Sequence, residues 1–406
     1  MPAAFDPAPS ALGLHACPAQ RPARADGRVK KFRAMSESRT KRVLMVHSEA
    51  IYFGGAELLL ARLATLGLGP AIRLTVARVR DSPLARALPA GVPVLDLPAN
   101  QPFSVGGLRR QLAILRRAEF DILHAWGARA WEVSALAGTL TGRPVVGTLH
   151  DHPAADYLTP ARRRLMRWTA RCGLDRVTVV SEALRTACLA AGWPERKLAV
   201  VRNGLEVRPT LARAASTGPL RFGFLGSLTA AKGLPDLLAS AAELARQAPS
   251  GWELHIAGRT QTEVEAAQLR QWQEPFAGRA WWAQVRWRGW VEPAEFLAGM
   301  NVLVFPSRAF ETFGLAPAEA ALAGVPTVGA RTGAVPELVA DGETGWLFPP
   351  GDSVACAAIL ARLLANPGEA VTRGAAARER VQRDFPEAKM VAGYRTILSA
   401  LRRDGC

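Results

Sequence analysis

The sequence predicts an α/β protein made of two doubly wound parallel sheets facing each other across a cleft. Three observations carry that expectation. The chain has 406 residues, enough for two domains with sizeable cores. Short apolar runs alternate with helical stretches, as in parallel sheets covered on both faces. The runs also fall into two sets, separated by a segment at 206–218 rich in Pro, Arg, Ala, Ser and Thr.

The elements follow in order. Residues 1–40 are rich in Ala, Pro and Arg without periodicity, and read as a disordered basic extension. Met35 is a second candidate start just before the folded part. The first domain, 41–205, has strand-like runs at Val43–His47, Ile72–Val79, Val94–Leu97, Ile122–Trp126, Val145–His150, Val177–Ser181 and Ala199–Asn203. After the 206–218 linker, the second domain, 219–385, has runs at Leu220–Leu225, Leu254–Ala257, Val302–Pro306, Pro326–Gly329 and Trp346–Phe348. Residues 386–406 hold a last helix, Glu387–Leu401. Five of the eleven tryptophans, Trp272, Trp281, Trp282, Trp287 and Trp290, fall within Gln271–Trp290, and read as a packed insertion rather than a ligand platform.

Composition narrows the function classes. The five cysteines form no C-x-x-C pair and are odd in number, which argues against a disulfide framework or zinc ribbon and suits a reducing compartment. Net charge is +16, from 51 Lys and Arg against 35 Asp and Glu, so an anionic partner is expected: membrane surface, nucleic acid or acidic substrate. The first 40 residues hold seven basic and three acidic residues, so about +12 belongs to the rest. No apolar run reaches the ~18 residues of a spanning helix, and the N-terminus lacks the apolar region of a secretory signal. A cytoplasmic protein, soluble or peripheral on the inner face of the membrane, is the expectation.

The most informative stretch is 301–345, NVLVFPSRAFETFGLAPAEAALAGVPTVGARTGAVPELVADGETG. Glu311 and Glu319 stand with seven residues between them, around Phe313-Gly314-Leu315. Pro317 reads as the first residue of a helix and Gly324 as its end, with Glu319 at the helix start. Both carboxylates then lie beyond the carboxyl end of a strand, where open α/β sheets bind ligands, and suit the hydroxyls of a sugar or ribose. In Gly226-Ser227-Leu228-Thr229-Ala230-Ala231-Lys232-Gly233 a strand runs into a loop and then a helix, which offers backbone N–H groups and the Lys232 charge to a phosphate. In the first domain, Gly54-Gly55-Ala56-Glu57 lets the backbone approach a ligand closely, with Glu57 read as orienting an acceptor or capping the helix, the cap slightly favoured. His47, His124 and His150 are placed at strand ends, on the cleft edge.

From about Arg42 to the C-terminus this motif set resembles the retaining GT-B glycosyltransferases of family 4, the glycosyl transferases group 1 type. The resemblance implies two Rossmann-like domains, the first facing the acceptor and the second holding a nucleotide-diphosphate sugar, with the last helix crossing back to the first domain. It implies Glu311, His150 and Lys232 as catalytic residues, with His150 contacting the transferring sugar. Donor binding falls to Gly54, Gly55, Ser227, Lys232, Phe313, Gly314, Leu315, Glu319 and Arg259. Glu319 meets the ribose, and Gly333-Ala334-Val335-Pro336-Glu337 shapes the backbone. Ser227 departs from the pattern: family members place an Arg there, and Arg259 is a candidate substitute. No Asp-x-Asp occurs, which favours a metal-independent mode with no cofactor beyond the sugar nucleotide.

The reaction implied is sugar transfer to a hydroxyl acceptor with retention, in glycan, lipopolysaccharide or exopolysaccharide biosynthesis. Two basic helices of the first domain, with Arg109, Arg110, Arg116 and Arg117 and with Arg162, Arg163, Arg164, Arg167 and Arg171, read equally as solvated faces or as a dock for an anionic membrane carrying a lipid-linked acceptor. The competing reading is a catalytically silent GT-B module or basic scaffold binding a membrane or nucleic acid; no nucleic-acid recognition motif supports the latter. Ser181-Glu182 reads as a helix cap and Asn203-Gly204 as a turn with positive φ.

Overall fold

The computed structural model describes residues 40–51, 54–100, 104–207 and 218–401. The N-terminal extension, most of the linker, Cys17 and Cys406 lie outside the described residues. Among the described residues the first sheet holds β1 (Lys41–Val46), β2 (Ile72–Val79), β3 (Val94–Leu97), β4 (Ile122–Trp126), β5 (Val145–Leu149), β6 (Arg176–Val179) and β7 (Leu198–Val200). Their order is β3-β2-β1-β4-β5-β6-β7, and every pairing is parallel. The second sheet holds β8 (Leu220–Leu225), β9 (Trp252–Ala257), β10 (Val285–Gly289), β11 (Val302–Phe305), β12 (Thr327–Ala330) and β13 (Gly345–Phe348). Its order is β10-β9-β8-β11-β12-β13, again parallel throughout. The two doubly wound sheets have the GT-B architecture.

The central strands are apolar on both faces because helices cover both: all five residues of β4 and of β5 are buried. β10 departs from the expected pattern. Its Val-Arg-Trp-Arg-Gly alternates, with Val285 buried and both arginines exposed. Among the described residues it pairs only with β9, so an edge position explains why its charges are tolerated and its apolar run is short. The tryptophan-rich segment packs beside it. Trp281 lies 6.4 Å from Trp252 and 5.7 Å from Trp282, and Trp282 lies 6.3 Å from Trp287. Trp290 stays exposed.

The last helix, Glu387–Ala400, leaves the second sheet and packs on the first. Met390, Tyr394 and Leu398 are buried with Val43, Met45 and Val76 of β1 and β2. Arg62 of the first half pairs with Glu387 and, at 2.9 Å, with Glu206. Arg395 Nε donates to the Leu68 carbonyl at 3.1 Å. Asn203-Gly204 does not have the positive φ expected of it. Gly204 is needed for contact instead: a Cβ there would lie 2.5 Å from Glu387 Cα and 2.9 Å from Met390 Cβ.

Candidate active site

Strand order reverses between β1 and β4 in the first sheet and between β8 and β11 in the second. Loops leaving such neighbouring strands diverge to opposite faces and open a crevice. The two crevices face one cleft of about 1440 Å³, with walls from both halves. His47, Ser48 and Glu49 follow β1; Trp126 and Gly127 end β4; His150 follows β5; Gly226 and Lys232 follow β8; and Glu311 to Leu315 follow β11.

On the second-half wall, Lys232 Nζ donates to Glu311 Oε1 at 2.7 Å and sits 5.8 Å from the Phe305 ring centre. The same Glu311 oxygen accepts from Ser307 Oγ at 2.5 Å. Glu311 is 7% exposed and Ser307 fully buried. The loops bearing the pair are tied together: Arg308 and Ala309 N–H donate to the Ala231 carbonyl at 3.0 Å, and Arg308 grips Asp236 with both arms of its guanidinium. Behind Glu311 runs the 332–338 turn. The Ala334 N–H donates to the Glu311 carbonyl at 2.7 Å. Gly333 has φ +51, and a Cβ there would lie 2.1 Å from that carbonyl oxygen. Only glycine fits both the angle and the approach.

Among the described residues three helices begin at the cleft with glycine at the N-cap, Gly55–Leu66, Leu234–Gln247 and Leu315–Leu322; the first holds the Glu57 carboxylate in its first turn, and the other two have no side-chain cap. Such ends favour an anion. Gly55 faces Leu315 across the cleft so closely that a Cβ on it would lie 2.2 Å from Leu315 Cδ1. Phe313 is buried and meets Phe385 edge-on at 5.8 Å.

On the first-half wall, Glu57 Oε2 accepts from the Gly54 N–H at 2.8 Å, as a cap does, and its other oxygen lies 3.0 Å from His47 Nε2. Burial alone would raise the Glu57 pKa, but the His47 contact and the Gly54 N–H hold it below the usual range. His150 lies tilted against Trp126, with ring centres 4.8 Å apart. Burial lowers its pKa to about 4, with Glu57 opposing and His47 adding to the effect, so it is neutral at pH 7. His150 Nε2 and Asn203 Oδ1 are buried in this wall without a hydrogen-bond partner, the pattern of groups that face a polar ligand.

Several expected site residues fall elsewhere. His124 lies in the middle of β4, fully buried, with Nε2 2.7 Å from Thr148 Oγ1. Burial pushes its pKa down to about 3, so it is a neutral core residue rather than a cleft-edge one. Glu319 does not open its helix: Leu315 does, and Pro317 is the third residue. Glu319 is half-buried and outside the cleft wall, with burial and then the Glu292 carboxylate raising its pKa to about 7. Ser227 and Arg259 are also outside the wall; the Arg259 side chain is exposed, and its carbonyl accepts from Leu228 N–H. Among the described residues lining the cleft, the Lys and Arg side chains are Lys232, Arg129 and Arg162. Arg129 pairs with Glu49 at 2.7 Å and Arg162 with Glu132 at 2.6 Å.

Residues 219–366 match the family model for glycosyl transferases group 1, and residues 53–208 that for glycosyltransferase family 4. The chain is 33% identical over 314 residues to a glycogen synthase of Mycobacterium tuberculosis, covering 73% of each chain. The chain belongs to glycosyltransferase family 4. A phosphatidyl-myo-inositol mannosyltransferase of Mycobacterium leprae is 26% identical to this family 4 chain over 326 residues, 78% of this chain and 83% of the other. Among solved structures, HepE of Anabaena in complex with UDP and glucose superposes with a TM-score of 0.77 at 23% identity. It covers 89% of this chain and all of HepE, a likeness of fold. The family 4 transferase thus carries its paired glutamate and lysine at the switch point of the second sheet.

Sequence reading did not single out Ser307, Trp126 or the His152–Phe310 contact, whose rings meet at 4.6 Å across the cleft. Ser307 sits in a Phe-Pro-Ser strand end four residues before Glu311, which is the signal that could have found it.

Proposed function

We propose that this glycosyltransferase moves a sugar from a nucleotide-diphosphate sugar to a hydroxyl acceptor, with retention at the anomeric carbon and without a metal. The observation that carries the reading is the Lys232–Glu311 pair, 2.7 Å apart, at the reversal point between β8 and β11. Breaking the glycosidic bond builds negative charge on the leaving diphosphate. Lys232 and the uncapped N-termini of helices Leu234–Gln247 and Leu315–Leu322 are suited to stabilise that charge. Donor binding exchanges the Glu311 contact of Lys232 for phosphate oxygens, which frees Glu311 to hold sugar hydroxyls beside the N–H groups of residues 313–315.

Glu311 serves as an orienting group in this reading, since it is already held by Lys232 and Ser307. The acceptor hydroxyl then loses its proton to the leaving phosphate oxygen on the same face. Neutral His150 lies on the opposite wall, and its unpaired Nε2 suits a sugar hydroxyl. With Ser227 where family members place Arg, Lys232 is the cation in the second-half wall among the described residues, so donor affinity rests on it.

The test is thermal stability against UDP-, GDP-, ADP-, TDP- and CDP-sugars, with and without EDTA. UDP-glucose comes first because HepE was solved with UDP and glucose. A ligand that binds the folded state raises the midpoint. A shift with one nucleotide class, insensitive to EDTA and lost in Lys232→Ala, supports the reading. No shift with any donor supports the silent-module alternative.

On the acceptor side, the exposed face of helix Pro160–Trp168 favours a peripheral contact with an anionic membrane. Arg164 and Arg167 are exposed there beside Leu165 at 42% and Trp168 at 62%, and Leu165 also lines the cleft. The exposed side of helix Val105–Arg117 adds Arg109, Arg110, Arg116 and Arg117. Each basic residue near an anionic surface contributes about 1 kcal/mol, and a lipid-linked acceptor would enter the cleft from that side. Flotation with phosphatidylglycerol vesicles, against phosphatidylcholine alone, tests it: equal recovery on both rejects the contact.

A further inference from the structure

We propose that Glu337 is a positioning residue that couples closure of the cleft to the placement of Glu311. Glu337 belongs to the second half, on the single helical turn Val335–Leu338, yet its carboxylate binds the first half. Oε1 accepts from the Ala183 N–H at 2.8 Å, and Oε2 lies 3.3 Å from Arg202 Nε. Ala183 is the second residue of helix Glu182–Ala190, so its N–H is one of those a helix leaves unpaired at its start. Ser181 Oγ caps the Leu184 N–H from within the first half, at 3.0 Å. The Ala183 N–H is capped from the second half, by a carboxylate placed at the favourable end of the helix dipole.

The other end of the same short segment holds Glu311. Gly333 packs on its backbone, the Ala334 N–H binds its carbonyl at 2.7 Å, and Glu337 N–H binds the Ala334 carbonyl at 2.9 Å. Arg380 braces the turn through the Glu337 carbonyl at 3.1 Å. A continuous set of hydrogen bonds therefore runs from the first-half helix through Glu337 and Ala334 to the residue beside Lys232. Rotating the halves apart breaks the Ala183 and Arg202 contacts, the links of this set that cross between halves. The turn then loses its outer anchor while keeping its grip on Glu311. Phe310, next to Glu311 in the chain, meets His152 of the first half at 4.6 Å, a second contact between the halves beside the glutamate.

The activity readout rests on the glycosyl-transfer reading; the exchange readout does not. Glu337→Ala and Arg202→Gln are compared with Glu337→Gln, which keeps an oxygen for the Ala183 N–H. The expected result is faster amide exchange in a peptide spanning 182–190 for Glu337→Ala, with the β5 peptide unchanged, in the ligand-free protein. With donor and acceptor saturating, kcat falls by about 10²-fold, the scale of a 1 Å misplacement. Glu337→Gln recovers most of it, and the donor-induced thermal shift stays within a few degrees of the unmodified protein. A purely structural brace would lower the midpoint and leave saturated kcat alone. Unchanged exchange at 182–190, or unchanged saturated kcat in Glu337→Ala, overturns the proposal. Absence of any donor shift in the unmodified protein counts against the donor reading instead, and the exchange result then decides the coupling.

Discussion

Glu319 offers a quantitative test of how the fold treats a carboxylate it does not pair. Its pKa rises from 4.5 to about 7, chiefly from burial and secondly from the Glu292 carboxylate. The unfolded chain has no such burial. Between pH 4.5 and 7 the folded state therefore binds the extra proton, and stability is lost as pH rises through that window. The difference corresponds to about 3 kcal/mol at ~1.36 kcal/mol per pH unit. Glu319 is half-buried, and solvent screening reduces this to about 1–2 kcal/mol.

Glu319→Gln keeps the shape and removes the titration. The assay is urea unfolding of both proteins at pH 5 and pH 8. The variant should gain about 1–2 kcal/mol relative to the parent on going from pH 5 to pH 8. The comparison must be a difference between proteins, because buried His150 and His124, lowered to about 4 and about 3, act oppositely. Those two lose stability as pH falls below about 6.5, the unfolded histidine value. If the difference between parent and variant is flat across the pH range, Glu319 does not carry a raised pKa and the burial argument fails. If ribose hydroxyls donate to Glu319 when a nucleotide binds, they stabilise its ionised form. Binding near pH 7 should then release a proton, read as a buffer-dependent heat in calorimetry and absent in Glu319→Gln.

Other outcomes follow from the same geometry. Glu311→Gln should lower kcat by about 10²-fold, the scale of one lost transition-state contact, without changing the thermal midpoint much, and unchanged turnover would remove Glu311 from the mechanism. Gly333→Ala should cost about 1–2 kcal/mol for the left-handed backbone alone, with further loss from the 2.1 Å approach to the Glu311 carbonyl; wild-type urea stability would reject the packing argument. Ser307→Ala should lower stability by about 1 kcal/mol and kcat by more than it changes donor KM, because Ser307 holds a Glu311 oxygen at 2.5 Å. The His150 ring should show no midpoint between pH 5.5 and 8 by NMR, given its pKa of about 4.

Much of the molecule follows from local pattern. The parallel strands of both sheets are short apolar runs because helices cover both faces of each sheet, and β2, β3, β4 and β8 begin and end where periodicity places them. The glycine-rich turns before helices, Lys232, and Glu311 after the Phe-Pro-Ser strand end are legible because close backbone approach and free N–H groups need those residues at those points. Local pattern misplaces His124, since a histidine inside an apolar strand and one at its end differ by only two positions in sequence. It misplaces Glu319 too, because Gly314, with φ +96, starts the helix two residues earlier than Pro317 suggested.

Tertiary structure alone decides which distant residues meet. That Lys232 touches Glu311, 79 positions away, depends on β8 and β11 being neighbours in the sheet, which strand order sets and no local run encodes. That Gly204 serves the last helix rather than a turn, and that Glu337 caps a helix of the opposite half, are consequences of two sheets held face to face. A sequence states the hydrogen-bonding capacity of each side chain; only the packed chain determines which partner arrives within 3 Å.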